Sequence, residues 1–166
     1  EAFPKIRQTF NLVPSLVCQM ENYLEEGWSE VELDLFRKPA EQLATRDKHD
    51  ILSMFFNAPE ETLIAPYPRY ASLLRESRLR SADHLIQFWS EQEWRDLQVW
   101  RQLSWFDPLI RLSDRQVEDL LRQGQNYTEE QKNLLLARMI HWIGEALAVY
   151  RRLQDQDQIE VSVTPF

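Results

Sequence analysis

Residues 129–164 read EEQKNLLLARMIHWIGEALAVYRRLQDQDQIEVSVT. Up to residue 154 the apolar residues recur every three or four positions, which is the period of one helix face. The clearest stripe consists of Leu135, Met139, Trp142, Ala146, Val149 and Leu153. Beyond residue 157 the period shortens to two, which is the period of a strand. The segment therefore predicts a long helix over 129–154 and a strand over 158–164.

A second strand is predicted near the start of the chain. Residues 6–13 approximate the same period of two, and Pro14 then suits the first turn of a helix. Helix starts after Pro14 are marked by capping boxes, in which a side chain accepts from a free N–H group. These boxes are Ser90 with Glu93, Ser113 with Gln116, and Thr128 with Gln131. We predict a mainly α chain in which five to seven helices, over 14–154, are flanked by two short strands.

Boundaries are also marked early in the helical region. Gly27 can take the left-handed conformation that ends a helix, and a second helix is predicted from Trp28 to Lys38, before Pro39. Further helices are predicted over 45–56 and 70–78. No repeat or linker is apparent, so we treat residues 1–166 as a single fragment.

Tryptophans are concentrated between Phe88 and Phe106. Helical spacing places Trp94 and Trp105 on one face of this segment and Trp100 on roughly the opposite face. The helix is therefore either packed on both sides or left with an open aromatic face. Aromatic residues at helical spacing usually belong to a core, whereas an open indole face could stack on a sugar ring. The sequence leaves both roles possible.

Composition restricts the classes of partner. Lys and Arg number 19 against 27 Asp and Glu, and the resulting net charge of -8 disfavours nucleic acid. No apolar run approaches the roughly 20 residues that a membrane-spanning helix needs, so no membrane contact is expected. Cys18 is the single cysteine, which predicts a small buried hydrophobic side chain and fits a reducing, cytoplasmic location.

Familiar catalytic and cofactor motifs are missing from the chain. His49, His84 and His141 are far apart and have no metal-ligand spacing, and there is no phosphate-binding glycine loop or nucleophile elbow. The acidic pair Glu129-Glu130 follows a helix cap, where negative charge favourably meets the helix dipole. We therefore predict no metal, no cofactor and no catalytic residue within this sequence.

Several short segments together resemble family 57 glycoside hydrolases, the α-amylase-like and 4-α-glucanotransferase-like group. They occur in the family's order over nearly the whole chain. The segments are TFNLVPSL at 9–16, PRY at 68–70, DLQVW at 96–100, SWF at 104–106, QIEV at 158–161 and TPF at 164–166. Asp157 stands where the family's G-Q-x-E segment has a glycine.

The resemblance implies both a fold and a reaction. Such enzymes use a (β/α)7 barrel, and this chain would supply two neighbouring barrel strands with a helical insertion between them. The reaction implied is retaining cleavage or transfer of an α-glucan by two carboxylates. The family's catalytic Glu and Asp lie on later strands, so the fragment itself is expected to be inactive.

The resemblance also implies which residues meet substrate in the parent enzyme. Glu160 matches the family's carboxylate, although alternation alone would make it a solvent-facing strand residue. Substrate-binding roles are predicted for Glu160, Asn11 and Trp100. Expected partners are an α-glucan or maltooligosaccharide, the remainder of the barrel, and a second copy of the fragment that covers its open strand edges. The alternative is a helical protein–protein interaction module that binds through its aromatic face without any sugar chemistry.

Overall fold

The computed structural model describes residues 6–25 and 30–163. Contacts divide the chain into two compact units. The strand unit comprises the described residues up to 25 together with 137–163, and the helical unit comprises 30–136.

The described residues form two strands and nine α-helices. In chain order the elements are β1 (Gln8–Leu12), α1 (Pro14–Leu24), α2 (Val31–Arg37), α3 (Thr45–Met54), α4 (Pro68–Leu79), α5 (Ala82–Phe88), α6 (Glu91–Leu103), α7 (Pro108–Ser113), α8 (Arg115–Gln123), α9 (Glu129–Asp155) and β2 (Ile159–Val163). A 3-10 turn at Ala40–Gln42 and a π turn at Glu60–Ile64 complete the helical unit.

The mainly α class with one strand near each end is confirmed. The number of helices is larger than the five to seven predicted, because α5 and α7 have only seven and six residues and show no clear periodicity. Their starts carry chemical signals nonetheless. At the start of α5 the Ser81 side chain accepts a hydrogen bond from the His84 N–H. At the start of α7 the Asp107 side chain accepts one from the Leu109 N–H, and Pro108 occupies the first turn.

Two of the three predicted capping boxes are confirmed, and the third is wrong. Ser90 and Glu93 cap α6 reciprocally, and Thr128 and Gln131 exchange the same two hydrogen bonds at the start of α9. At the third site Ser113 is instead the last residue of α7. Asp114 caps α8, because its carboxylate accepts from the N–H groups of Gln116 and Val117.

Three other predictions concern the region around α1 and α2. Gly27 and Trp28 lie outside the described residues, and the helix predicted from Trp28 to Lys38 is described over Val31–Arg37. The prediction that Cys18 is buried is wrong, because its side chain is exposed on α1. None of the α1 side chains is fully buried, so an apolar position in this helix is not evidence of a core position.

Helix α6 is the centre of the helical unit. Trp94, Leu97, Val99, Trp100 and Leu103 are all at most 1% exposed, so both faces of α6 are covered. The Trp100 ring lies 4.6 Å from the Tyr67 ring and 6.4 Å from the Tyr70 ring, stacked against both. Its indole N–H donates to the Gly124 carbonyl at 3.0 Å. Trp94 and Trp100 are therefore core residues, whereas Phe88 and Trp105, near the ends of the aromatic segment, are 64% and 52% exposed.

A buried carboxylate ties three segments of the helical unit together. Asp96 is fully buried, and its two oxygens accept from the Arg69 guanidinium at 2.8 Å, the Gln92 amide at 2.8 Å and the Tyr127 N–H at 3.1 Å. Arg69 also donates to Glu93 at 3.1 Å. A buried charge is tolerated only when it is paired and fully hydrogen-bonded, and Asp96 meets both conditions.

A second buried charge joins the start of α9 to the segment after α2. The Lys132 ammonium is fully buried and donates to the Lys38 carbonyl at 2.7 Å and the Gln98 amide oxygen at 3.3 Å. It also pairs with Glu129 at 2.7 Å. Burial opposes ionisation of Glu129, but hydrogen bonds from Lys132, Arg95 and the Ala40 N–H hold the pKa of this carboxyl below its ordinary value of 4.5.

We expect Asp96→Ala to lower the free energy of unfolding by about 3 kcal/mol, because it removes one of the two carboxylates that pair with the partly buried Arg69 and leaves the Tyr127 N–H unsatisfied. The control is Asp119→Ala, whose carboxylate is 55% exposed and pairs with Arg122; it should change stability by less than about 0.5 kcal/mol. Urea denaturation followed by circular dichroism measures both. Equal effects of the two variants would contradict the proposed role of Asp96.

Stability should also depend on the ionisation of Glu129. Because its pKa is lower in the folded than in the unfolded chain, its carboxylate stabilises the fold above pH 4.5, and this contribution is lost as the pH falls through the folded-state pKa. Glu129→Gln should therefore lower the urea midpoint at pH 7, and the difference from the unmodified chain should shrink progressively as the pH falls below 4.5. Ser53→Ala, at an exposed site that does not ionise, should leave the midpoint unchanged throughout. A Glu129→Gln deficit that is the same at pH 7 and below pH 4.5 would refute the assignment.

Candidate functional site

The two strands pair in parallel within the strand unit. The register places Thr9 beside Glu160 and Asn11 beside Ser162, so these four residues share one face of the ladder. All four are exposed. The opposite face carries Phe10 beside Val161 and Leu12 beside Val163. The ladder therefore has one polar face, defined by Thr9, Asn11, Glu160 and Ser162, and one apolar face.

The apolar face is partly covered by the portion of α9 that belongs to the same unit, whereas Val163 is 60% exposed. The Phe10 ring meets the Tyr150 ring of α9 edge-on, with centroids 5.7 Å apart, and Ile159 is buried. Helix α1 also approaches α9, because a Cβ built on Gly144 would lie 3.6 Å from the Leu24 side chain. Burial of apolar side chains on this side fixes the register of the two strands, because shifting one strand by one residue would exchange its polar and apolar faces.

Glu160 is held in place on the polar face by its neighbour in the register. The Thr9 hydroxyl donates to Glu160 Oε2 at 3.2 Å across the two strands. One carboxylate oxygen is engaged by this bond, and the exposed side chain leaves room for a further donor from solvent or a ligand. Such a carboxylate is suited to accept a hydrogen bond from a hydroxyl group.

An open groove of about 460 Å³ lies at the amino-terminal ends of both strands. Its lining is polar and includes Arg7, Gln8, Thr9, Gln154, Asp157, Gln158 and Glu160. Amide, hydroxyl, guanidinium and carboxylate groups together offer both donors and acceptors, which suits a neutral, hydroxyl-rich ligand.

The turn from α9 into β2 depends on a left-handed residue. Asp157 has φ 52°, and its N–H donates to the Gln154 carbonyl at 3.0 Å while the Gln158 N–H donates to the Leu153 carbonyl. Glycine adopts this conformation most readily, and Asp is one of the few other residues that tolerate it. Asp157 can therefore hold this turn without a glycine.

The structure brings two of the three predicted site residues to one surface. Asn11 and Glu160 lie on the polar face, and Glu160 also lines the groove. Trp100 belongs to the helical unit and is 1% exposed, with its ring packed among Tyr67, Tyr70 and Tyr127. Its predicted contact with substrate is therefore not supported, because neither ring face is accessible to a sugar.

Several groove residues were not singled out from the sequence. Arg7 and Gln154 line the groove with Glu160 because α9 ends and β1 begins at the same end of the ladder, and Gln158 immediately precedes β2. Thr9 could have been identified, since it stands two residues before Asn11 and therefore on the same strand face. Within residues 6–25 and 30–163, no group of three His, Cys, Asp or Glu side chains is arranged to hold a metal ion.

Comparison with known proteins adds no assignment. No protein-family model matches this chain, and no match was found among curated proteins or solved structures. Over the described residues, no helix is both long enough and apolar enough to cross a membrane.

Side chains that serve only to bind a ligand should contribute little to the free energy of unfolding. We expect Thr9→Val and Glu160→Gln each to change the free energy of unfolding by less than about 0.5 kcal/mol, because both side chains are exposed. Phe10→Ala, on the covered face, should cost about 1–2 kcal/mol through lost packing on Tyr150. Thermal denaturation compares the three variants. A larger loss for Glu160→Gln than for Phe10→Ala would show that Glu160 is structural.

Proposed function

We propose that this chain is a segment of an α-glucan-acting glycoside hydrolase or glucanotransferase of the family 57 type, and that its polar strand face contacts the glucan. The observation that carries the proposal is the parallel ladder with Asn11 and Glu160 on its open polar face. In a (β/α) barrel the outward strand face packs on helices and the inward face points to the lumen. Phe10 against α9 corresponds to the outward side, and Glu160 to the inward side.

Contacts between the resembling segments support the proposal. TFNLVPSL and QIEV, which carry much of the resemblance, include the two strands that pair with each other. PRY and DLQVW also meet, through the ion pair of Arg69 with Asp96 and the stacking of Tyr70 on Trp100.

The position of the polar residues agrees with a binding role rather than a catalytic one. Barrel enzymes carry out their chemistry at the carboxyl ends of the strands, and Asn11 and Ser162 lie toward that end. Glu160 is the second residue of β2 and lines the groove at the amino-terminal ends, away from the place where a barrel carries out its chemistry. Asp157, the other carboxylate among the described residues that line this groove, precedes β2. Retaining hydrolysis needs two carboxylates about 5 Å apart across the scissile bond, and the proposal leaves that pair to other strands of the barrel.

Partners and location follow from the same proposal. Each strand of the described two-stranded ladder has one edge that no other described strand occupies. The remainder of the barrel is the proposed neighbour for these edges, and a second copy of the chain takes its place when the fragment is alone. The proposed location is the cytoplasm, because an α-glucan substrate and a reduced Cys18 are both compatible with that compartment.

The alternative, a helical protein–protein interaction module, is not favoured by the burial of the aromatic residues of α6. It required an open aromatic face on α6, and Trp94 and Trp100 are buried there. Of the aromatic residues in that face, Trp105 remains 52% exposed, just beyond the helix. A single exposed indole is common on protein surfaces and does not define an interface.

Titration of the isotope-labelled chain with maltoheptaose, followed by nuclear magnetic resonance, tests the proposal. We expect shift changes at Thr9, Asn11, Glu160 and Ser162, and a roughly tenfold loss of affinity in Glu160→Gln, as for loss of one hydrogen bond to a charged group. Glu145→Gln, at an exposed position on α9, is the matched control and should bind normally. Cellohexaose tests whether the α-linkage is selected.

Unchanged affinity in Glu160→Gln, or shift changes confined to residues away from the polar strand face, would refute the proposed function.

A further inference from the structure

A second groove, of about 480 Å³, lies within the helical unit along α4, α5 and the start of α6. This volume falls inside the range of small-molecule sites. Its lining combines aromatic and charged side chains: Glu76, Arg80, His84, Phe88, Trp89 and Glu93. None of these residues takes part in the strand-face site.

The rim of this groove presents an aromatic pair to solvent. Phe88 is 64% exposed although the neighbouring Leu85 of the same helix is buried, so α5 places one aromatic ring outside its packed face. The His84 ring lies one helical turn earlier, with its centroid 4.4 Å from that of Phe88 and the rings tilted by 35°. His84 thereby limits the freedom of Phe88 and leaves a flat apolar surface beside the groove.

The polar groups around this surface are already positioned by partners. The Trp89 indole N–H donates to Glu76 at 3.0 Å, and an Arg80 guanidinium nitrogen lies 2.6 Å from His84 Nε2. Glu93 is held by Arg69 at 3.1 Å. Each of these carboxylates and the guanidinium retains hydrogen-bonding capacity for a ligand.

The charges of the groove cancel only in part. Its lining carries the carboxylates of Glu76 and Glu93 and the guanidinium of Arg80, while Arg69, outside the lining, is shared between Glu93 and Asp96, so an anionic ligand is disfavoured. A neutral ligand with one apolar face and many hydroxyl groups fits an aromatic ring flanked by acceptors and donors. Sugar rings have this chemistry.

We propose that this groove is a separate glucan-binding subsite, in which Phe88 stacks on the apolar face of a glucose unit while Glu76 and Arg80 bind its hydroxyl groups. The identity of the sugar rests on the proposed function, whereas the site itself is independent of the polar strand face.

The indole N–H resonance of Trp89 is a direct reporter, because this group donates to Glu76 inside the groove. On titration with maltoheptaose we expect this resonance to shift, and Phe88→Ala to weaken the affinity read from it by at least fivefold. Leu79→Ala is the matched control, since Leu79 is 76% exposed on α4 and does not line this groove. Both changes are at exposed positions, so both variants should fold.

The outcomes separate the two sites. A Trp89 shift that survives Glu160→Gln and is lost in Phe88→Ala supports the subsite. A Trp89 resonance that does not move, while the polar strand face responds, overturns the subsite and leaves the proposed function standing. A Trp89 shift that is unaltered by Phe88→Ala also overturns it. Equal responses to maltoheptaose and cellohexaose would overturn its assignment to α-glucans.

Discussion

Parallel pairing of β1 with β2 is the constraint from which the arrangement of the strand unit follows. Thr9 and Glu160 are 151 residues apart in sequence and are hydrogen-bonded to each other. Because parallel strands run in the same direction, the chain must return from the end of β1 to the starting end of the ladder before it forms β2, and this requires a long connection. Helix α9 supplies the last part of that return, and its Tyr150 covers one face of the ladder. The opposite face then holds the polar residues on which the proposed function rests.

Within the helical unit the corresponding constraint is the pairing of buried charges. Asp96 and Lys132 are each fully buried, and each is bound by groups from distant segments. Apolar packing alone would allow the helices to slide past one another, whereas a buried charge is tolerated only where hydrogen-bonding partners surround it. Arg69, Asp96 and Gln98 are among the residues that form these contacts.

The long, periodic elements could be predicted from the sequence, and the short ones could not. Helix α9 and both strands have enough residues for their periods to be read, and reciprocal capping marks the start of α6 and α9. Helices α5 and α7 are too short for a period, and their existence depends on local caps and on packing. At Ser113 two adjacent residues could both cap a helix, and only the three-dimensional path of the chain selects Asp114.

The candidate site was predictable to the extent that it depends on strand period. Alternation places Asn11 and Glu160 on one face once the register is known, whereas Arg7 and Gln154 join the groove through tertiary structure. Helical spacing does not show which face of α6 is covered, so it cannot test the substrate role that the resemblance implies for Trp100. Its burial became evident only from the packing of Tyr67, Tyr70 and Tyr127 around it.

The sequence separation of the two strands has a kinetic consequence. Closing so long a loop carries an entropic cost that a few ladder hydrogen bonds offset only late, while helix–helix contacts between near neighbours form early. The ladder is therefore expected to close last during folding. Until it closes, a nascent chain holds two unpaired strands, and in that interval it is most vulnerable to aggregation.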